Sequence, residues 1–226
     1  MTRILEATTP QAQTSQYADE WWMLRHQAKI AEVAARKGNV ELLLVGDSIT
    51  QGWEDRETAG DLWRQCFEPL NALNLGFSGD RTEQVIWRLQ NGEINGIHPK
   101  LAVLLIGTNN TGHRQDKAED TALGIKTIIG ELRTRLPDMT ILLMAVFPRG
   151  KLPDDPLRII NAKINQLIAG YADNQIVHFL DFGHLFIHAN GKLRTDLMPD
   201  FLHLNATGYR VWADAMVRHL DRLLER

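Results

Sequence analysis

Five short apolar runs punctuate the chain, at residues 40–46, 72–76, 101–107, 140–147 and 176–181, and the segments between them are long enough to hold helices. The runs are nearly continuous rather than alternating, as in Ile141-Leu142-Leu143-Met144-Ala145-Val146-Phe147. A strand apolar at every position is covered on both faces, and helices supply that cover when they cross over between parallel strands. The intervening segments carry the matching helical period. Ile125, Ile128, Ile129, Leu132 and Leu136 form one stripe, which Pro137 ends. Tyr209, Trp212, Ala213, Met216, Val217, Leu220, Leu223 and Leu224 form another, with Asn205 or Thr207 as its cap. An early helix is expected from about Ala18 to Lys37, stopped by Gly38. The alternation predicts α/β architecture: a single doubly wound domain over residues 17–226, with helices on both faces of the sheet. A polar arm, residues 1–16, precedes it and is expected to pack poorly.

Composition narrows the partners. A chain of 226 residues with 44% hydrophobic side chains can bury a sizeable core. A net charge of −3 gives no footprint for nucleic acid or an anionic membrane. No apolar run is long enough to span a bilayer, and the N-terminus lacks a signal-peptide pattern. The single cysteine, Cys66, cannot form an intramolecular disulfide; beside Trp63 and Phe67 it reads as a buried thiol. A cytoplasmic setting is the expectation. No ligand-spaced His or carboxylate cluster points to a metal, and Gly76-x-x-Gly79 lacks the third glycine of a dinucleotide fingerprint, so no cofactor is expected.

Ligands of an open α/β sheet collect at the carboxyl ends of its strands. After the first run comes Gly46-Asp47-Ser48-Ile49-Thr50. A serine there is either a nucleophile beside unpaired backbone N–H groups or a simple helix cap. The chain holds three serines, Ser15, Ser48 and Ser78, and the last two lie at inferred strand ends. Gly79 and Asp80 follow the second run, and Asn109 and Asn110 the third. Gly79 and Asn109 read alone as turn residues; together a backbone N–H and an asparagine amide can meet an oxyanion. Beyond the fifth run, Asp200 and His203 stand three residues apart. On a tight turn a carboxylate so placed can fix the tautomer of the imidazole. His203 can equally be a surface cap. His26 and His219 fall on helices and are expected to be solvated, His98 reads as a turn residue, and His113, His178, His184 and His188 have no acid at this spacing. Asp181 and Asp196 are rivals of Asp200.

Gly-Asp-Ser-Ile at 46–49, Gly79 in Ser-Gly-Asp-Arg-Thr, Asn109 in Gly-Thr-Asn-Asn and Asp200-x-x-His203 stand in the order of the SGNH/GDSL hydrolases, which the chain resembles from about residue 38 onward. Trp87-Arg88-Leu89-Gln90-Asn91-Gly92-Glu93, Gly107-Thr108-Asn109-Asn110, Phe147-Pro148-Arg149-Gly150 and Asp200-Phe201-Leu202-His203-Leu204 are similar to the catalytic subunits of intracellular platelet-activating factor acetylhydrolase. The resemblance implies a five-stranded parallel sheet in flavodoxin-like order. It implies Ser48 as nucleophile, His203 as base, Asp200 as its orienter, and the Ser48 and Gly79 N–H groups with the Asn109 side chain as oxyanion donors. Ile49 replaces the leucine of the GDSL name and is expected to pack inward; Asn110 stands where many SGNH enzymes carry aspartate.

The expected activity is hydrolysis of short-chain esters, acetyl above all, through an acyl-enzyme. The substrate would be a small molecule, an acetylated sugar, phospholipid or metabolite. Leu202 and Leu204 flank His203 and are expected to close the acyl pocket. A thioesterase or lysophospholipase on the same machinery is the alternative, and a catalytically silent binding module the remote one. Trp21, Trp22 and Trp212 fall on inferred outer helices, where they either pack onto the sheet or form an interface. A homodimer is expected, as the resemblance also implies.

Overall fold

Each of the five apolar runs contains a strand. The computed structural model describes residues 5–14 and 20–225. In chain order the elements are α1 (Trp21–Arg36), β1 (Leu42–Gly46), α2 (Ser48–Gln51), α3 (Gly60–Cys66), β2 (Ala72–Gly76), α4 (Thr82–Gln90), β3 (Leu101–Leu105), α5 (Thr108–Arg114), α6 (Ala118–Arg135), β4 (Thr140–Met144), α7 (Pro156–Ala169), β5 (Val177–Leu180) and α8 (Ala206–Leu223). The strands form one parallel sheet in the spatial order β2-β1-β3-β4-β5, which is the flavodoxin-like order. From β1 the chain steps to one side to make β2, then crosses to the other side to make β3. The crevice where the direction reverses opens at the carboxyl ends of β1 and β3.

Alternate residues of each strand enter different cores, which is why the runs read as continuously apolar. Leu43, Val45, Leu73, Leu75, Ala102, Leu104, Ile141 and Leu143 join the core on one face with Val85 and Leu89 of α4, Ile125, Ile128 and Leu132 of α6, and Ile164 and Ile168 of α7. Leu42, Leu44, Val103, Leu105, Leu142 and Met144 join the other, with Leu62 of α3 and Trp212, Met216 and Leu220 of α8. Ile49 packs into this second core, 2% exposed.

The structure departs from the sequence expectations in several places. The third and fourth strands end at Leu105 and Met144, short of 107 and 147; Ile106 and Ala145 to Phe147 stay buried, so hydropathy runs past the ladder. α7, which the stripes named above did not include, starts on Asp155, whose side chain accepts from the N–H groups of Leu157 and Arg158, and on Pro156 in the first turn. The polar arm is not loose where it is described: Ala7 is 1% exposed. Residues 1–4, 15–19 and 226 lie outside the described residues, and with them Ser15 and the expected helix start at Ala18. His26 is buried rather than solvated, because α1 packs it against Glu93 at 2.7 Å. Cys66 is only partly covered, and that cover still pushes its thiol pKa up. Trp22 and Trp212 are core residues, each no more than 1% exposed, and so give no interface. Among the described residues no helix is long and apolar enough to cross a membrane.

Candidate active site

The first strand delivers Ser48 with a short helix. Asp47, not Ser48, caps α2: its Oδ1 accepts the Ile49 N–H at 3.0 Å. Ser48 is therefore the first helical residue, with its hydroxyl free of the capping role. Gly76 lets α2 sit against the neighbouring strand end, since a Cβ there would lie 2.2 Å from the Gln51 nitrogen. Asp47 is fully enclosed, and burial pushes its carboxyl up to about 6 against the pull of the Ile49 N–H, His203 and Arg149.

The loop before α8 delivers the imidazole. Phe201 adopts φ 66°, a left-handed conformation that folds the segment back on Asp200. Asp200 Oδ1 then accepts the N–H groups of Leu202 and His203 at 3.0 and 2.7 Å. Its Oδ2 lies 2.6 Å from His203 Nδ1. Partial burial raises the Asp200 carboxyl, but the bonds from the His203 ring and the two backbone N–H groups outweigh it and hold the carboxyl below its ordinary value. An ionised carboxylate is an acceptor only, so Nδ1 carries the proton and Nε2 is left as an acceptor. That Nε2 stands 3.0 Å from Ser48 Oγ. The rivals are engaged elsewhere: Asp181 Oδ1 accepts the Gly183 N–H and Asp196 pairs with Arg194.

The second and third strand ends supply donors. Gly79 holds φ +80°, which a side chain would resist. Around it the Phe77, Ser78 and Asp80 N–H groups bond to Gly46 O, Gln51 Oε1 and Phe77 O. Among the described residues the Gly79 N–H has no such partner. Asn109 Nδ2 donates to the Asp80 carbonyl at 3.0 Å, which orients an amide that carries a second hydrogen. Asn110 makes a structural bond instead, accepting the Thr82 N–H at 3.0 Å.

Ser48, Gly79, Asn109, Leu202 and His203 all line one cavity of about 520 Å³. A second hollow of about 420 Å³, bordered by Arg25, Gln51, Glu54 and Asp55, also reaches Ser48. Leu204 does not line the main cavity. It points into the second core at 4% exposure, packed over Gly208, because the turn that presents His203 outward turns its neighbour inward. The cavity is also lined by Gln13, Trp21, Ser78, Arg81 and His113, none of which the sequence assigned to the site. His113 could have been found, since it lies four residues after Asn109 on the same helix. Burial, then Arg81 and Arg149, lower its pKa. Nothing in the sequence marked Gln13.

A serine hydroxyl, an oriented imidazole and backbone and amide donors around one hollow suit acyl transfer. Comparison with known proteins agrees. Residues 44–211 match the GDSL-like Lipase/Acylhydrolase family. The chain is 38% identical over 207 residues to the platelet-activating factor acetylhydrolase IB subunit alpha1 of Bos taurus, spanning 91% of this chain and 85% of that one. Among solved structures, a GDSL-like lipase from Bacteroides thetaiotaomicron superposes with a TM-score of 0.68 at 19% identity, over 87% of this chain and 97% of the other. A carbohydrate acetylesterase family member from Sinorhizobium meliloti does so with a TM-score of 0.64 at 18% identity, over 83% and 100%. The chain belongs to the GDSL-like lipase/acylhydrolase family and is an ester hydrolase.

Proposed function

We propose that the protein is a serine esterase for acetyl and other short acyl esters of a small alcohol. The observation that carries the reading is the contact chain from Asp200 through His203 to Ser48, at 2.6 and 3.0 Å, opening on a cavity with donors on its wall. Ser48 Oγ attacks the ester carbonyl as its proton passes to His203 Nε2. Negative charge develops on the carbonyl oxygen and is met by the Ser48 and Gly79 N–H groups and the free hydrogen of the Asn109 amide. His203 returns the proton to the departing alcohol. Water then enters and attacks the acyl carbon as its proton passes to Nε2, which returns that proton to Ser48 Oγ as the acid leaves. Asp200 keeps the proton on Nδ1 throughout.

Two observations support a short acyl group. Leu202 stands on the cavity wall with His203, where an acyl chain would meet it. The relatives' names speak of acetylhydrolase and acetylesterase activity. The single cysteine supports a cytoplasmic setting, and the resemblance supports a homodimer, which a mass by light scattering tests.

A panel of acetyl, butyryl and octanoyl esters of one alcohol tests the reading. The expected result is a steady fall in kcat/KM with acyl length, because each methylene beyond the fit meets a wall. A preference for octanoyl would replace it with a lipase-like activity, and a preference for thioesters or lysophospholipids with those alternatives. Failure of an organophosphate to label Ser48 would leave only the silent binding module.

A further inference from the structure

We propose that residues 5–14 are a strap that completes the active site, and that Gln13 at its end is a positioning residue for the oxyanion loop. The inference rests on the serine-esterase reading above. The strap is built into the fold. The Thr82 hydroxyl donates to the Ala7 carbonyl at 2.8 Å, the Gln11 N–H donates to the Glu83 carbonyl at 3.2 Å, and Glu6 pairs with Arg114 at 2.6 Å. α6 leaves a groove for it: a Cβ on Gly124 would lie 2.5 Å from the Ala7 oxygen. The strap then reaches the strand ends, where Gln13 Nε2 donates to the Gly79 carbonyl at 3.3 Å and the side chain joins the cavity wall with Ser48.

The bond falls where the loop needs it. The Gly79 N–H belongs to the peptide plane between residues 78 and 79. The plane before it is anchored by the Ser78 N–H on Gln51 Oε1 at 2.7 Å. The plane after it is anchored by the Asp80 N–H on the Phe77 carbonyl at 3.1 Å and by Gln13 on the Gly79 carbonyl. A glycine at φ +80° has the widest backbone freedom of any residue, so its donor is aimed only as well as its neighbours are held. Gln13 ties the second of those neighbours to the strap.

The test compares Gln13→Leu, Gln13→Lys and Gly124→Ala with the unaltered protein on p-nitrophenyl acetate, together with organophosphate titration and thermal melts. Gln13→Leu removes the donor from a half-buried rim and should lower kcat about tenfold, with KM within about twofold, full organophosphate stoichiometry and a nearly unchanged Tm. Gln13→Lys keeps a donor for the Gly79 carbonyl and should recover most of kcat. Gly124→Ala drives a methyl against both the Thr82 hydroxyl and the Ala7 carbonyl that it holds, loosening the strap at its anchor, and should lower kcat in the same sense. An unchanged kcat in both Gln13→Leu and Gly124→Ala overturns the proposal, and so does a loss confined to KM that Gln13→Lys shares. Failure of the underlying esterase reading is distinguishable, because it would appear as absent organophosphate labelling in the unaltered protein.

Discussion

Two histidine–carboxylate pairs in this molecule have almost the same geometry and opposite surroundings. His203 Nδ1 lies 2.6 Å from Asp200, with side chains 45% and 53% exposed. His26 Nδ1 lies 2.7 Å from Glu93, with side chains 5% and 0% exposed. The second pair belongs to a sealed ionic cluster. Arg88 bonds to Asp80 at 2.8 Å and also to Glu93, its guanidinium lies 3.8 Å over the Phe77 ring, and the Trp22 indole donates to Asp80 at 2.6 Å. The rings of Trp22 and Trp87 cover His26 at 5.9 and 5.0 Å. A short bond between imidazole and carboxylate therefore does not mark a proton relay. What separates the pairs is the far nitrogen: on His203 it faces a serine and a cavity. The buried cluster instead holds the loop from above and below, since Asp80 gives its carboxylate to Arg88 and Trp22 and its carbonyl to Asn109.

The comparison can be broken by asking which region carries rate and which carries stability. The largest effect should be on rate. Ser48→Ala should lower ester hydrolysis by roughly 10⁴–10⁶ while the melting curve stays in place. A variant that keeps more than about a hundredth of the activity would exclude the serine mechanism.

Arg88→Met should act the other way. It leaves Asp80 and Glu93 buried without their cation, at a cost of about 3–5 kcal/mol in a urea titration, and folded molecules should still react with organophosphate. A loss of labelling at unchanged stability would place Arg88 in the chemistry and dissolve the distinction.

Asn109→Ala sits between the regions, since its amide touches the loop and faces the cavity. Turnover should fall roughly 10²–10³ with a smaller change in KM. An effect on KM alone would assign Asn109 to ground-state binding.

The smallest effect is on pH dependence. Burial raises the Asp47 carboxyl from an ordinary 3.8 to about 6 in the folded protein. The folded state then binds more protons than the unfolded chain between those values. Stability should fall as pH rises from about 4 to about 6 and level off beyond, by on the order of 2–3 kcal/mol from this group. Asp47→Asn should flatten that decline. Asp80, raised by burial to about 7 against the pull of Arg88, declines in the same direction in both proteins, so the difference between their urea midpoints isolates Asp47. Parallel curves would show that Asp47 stays ionised throughout.

Local pattern was enough for the architecture. Continuous apolar runs arise because each strand is covered twice, and a helical stripe arises because one side of a helix is buried; both are properties of a few neighbouring residues. Five strands, their parallel direction and the helices α6 and α8 follow from that alone. So does the grouping of Ser48, Gly79 and Asn109 at strand ends, and the Asp200–His203 turn is itself local. Tertiary structure decided what depends on distant contacts. Ser48 meets His203 across 155 positions of chain. Gln13 meets Gly79 across 66. His26 meets Glu93 across 67; its burial follows from the stripe of Trp22 and Val33 on its own helix, but its partner does not. Leu202 and Leu204 look alike in the sequence, yet one lines the cavity and the other fills the core, because a backbone turn at Phe201 sends them apart. Side-chain period reports which residues are hidden from water; only the folded chain decides what hides them.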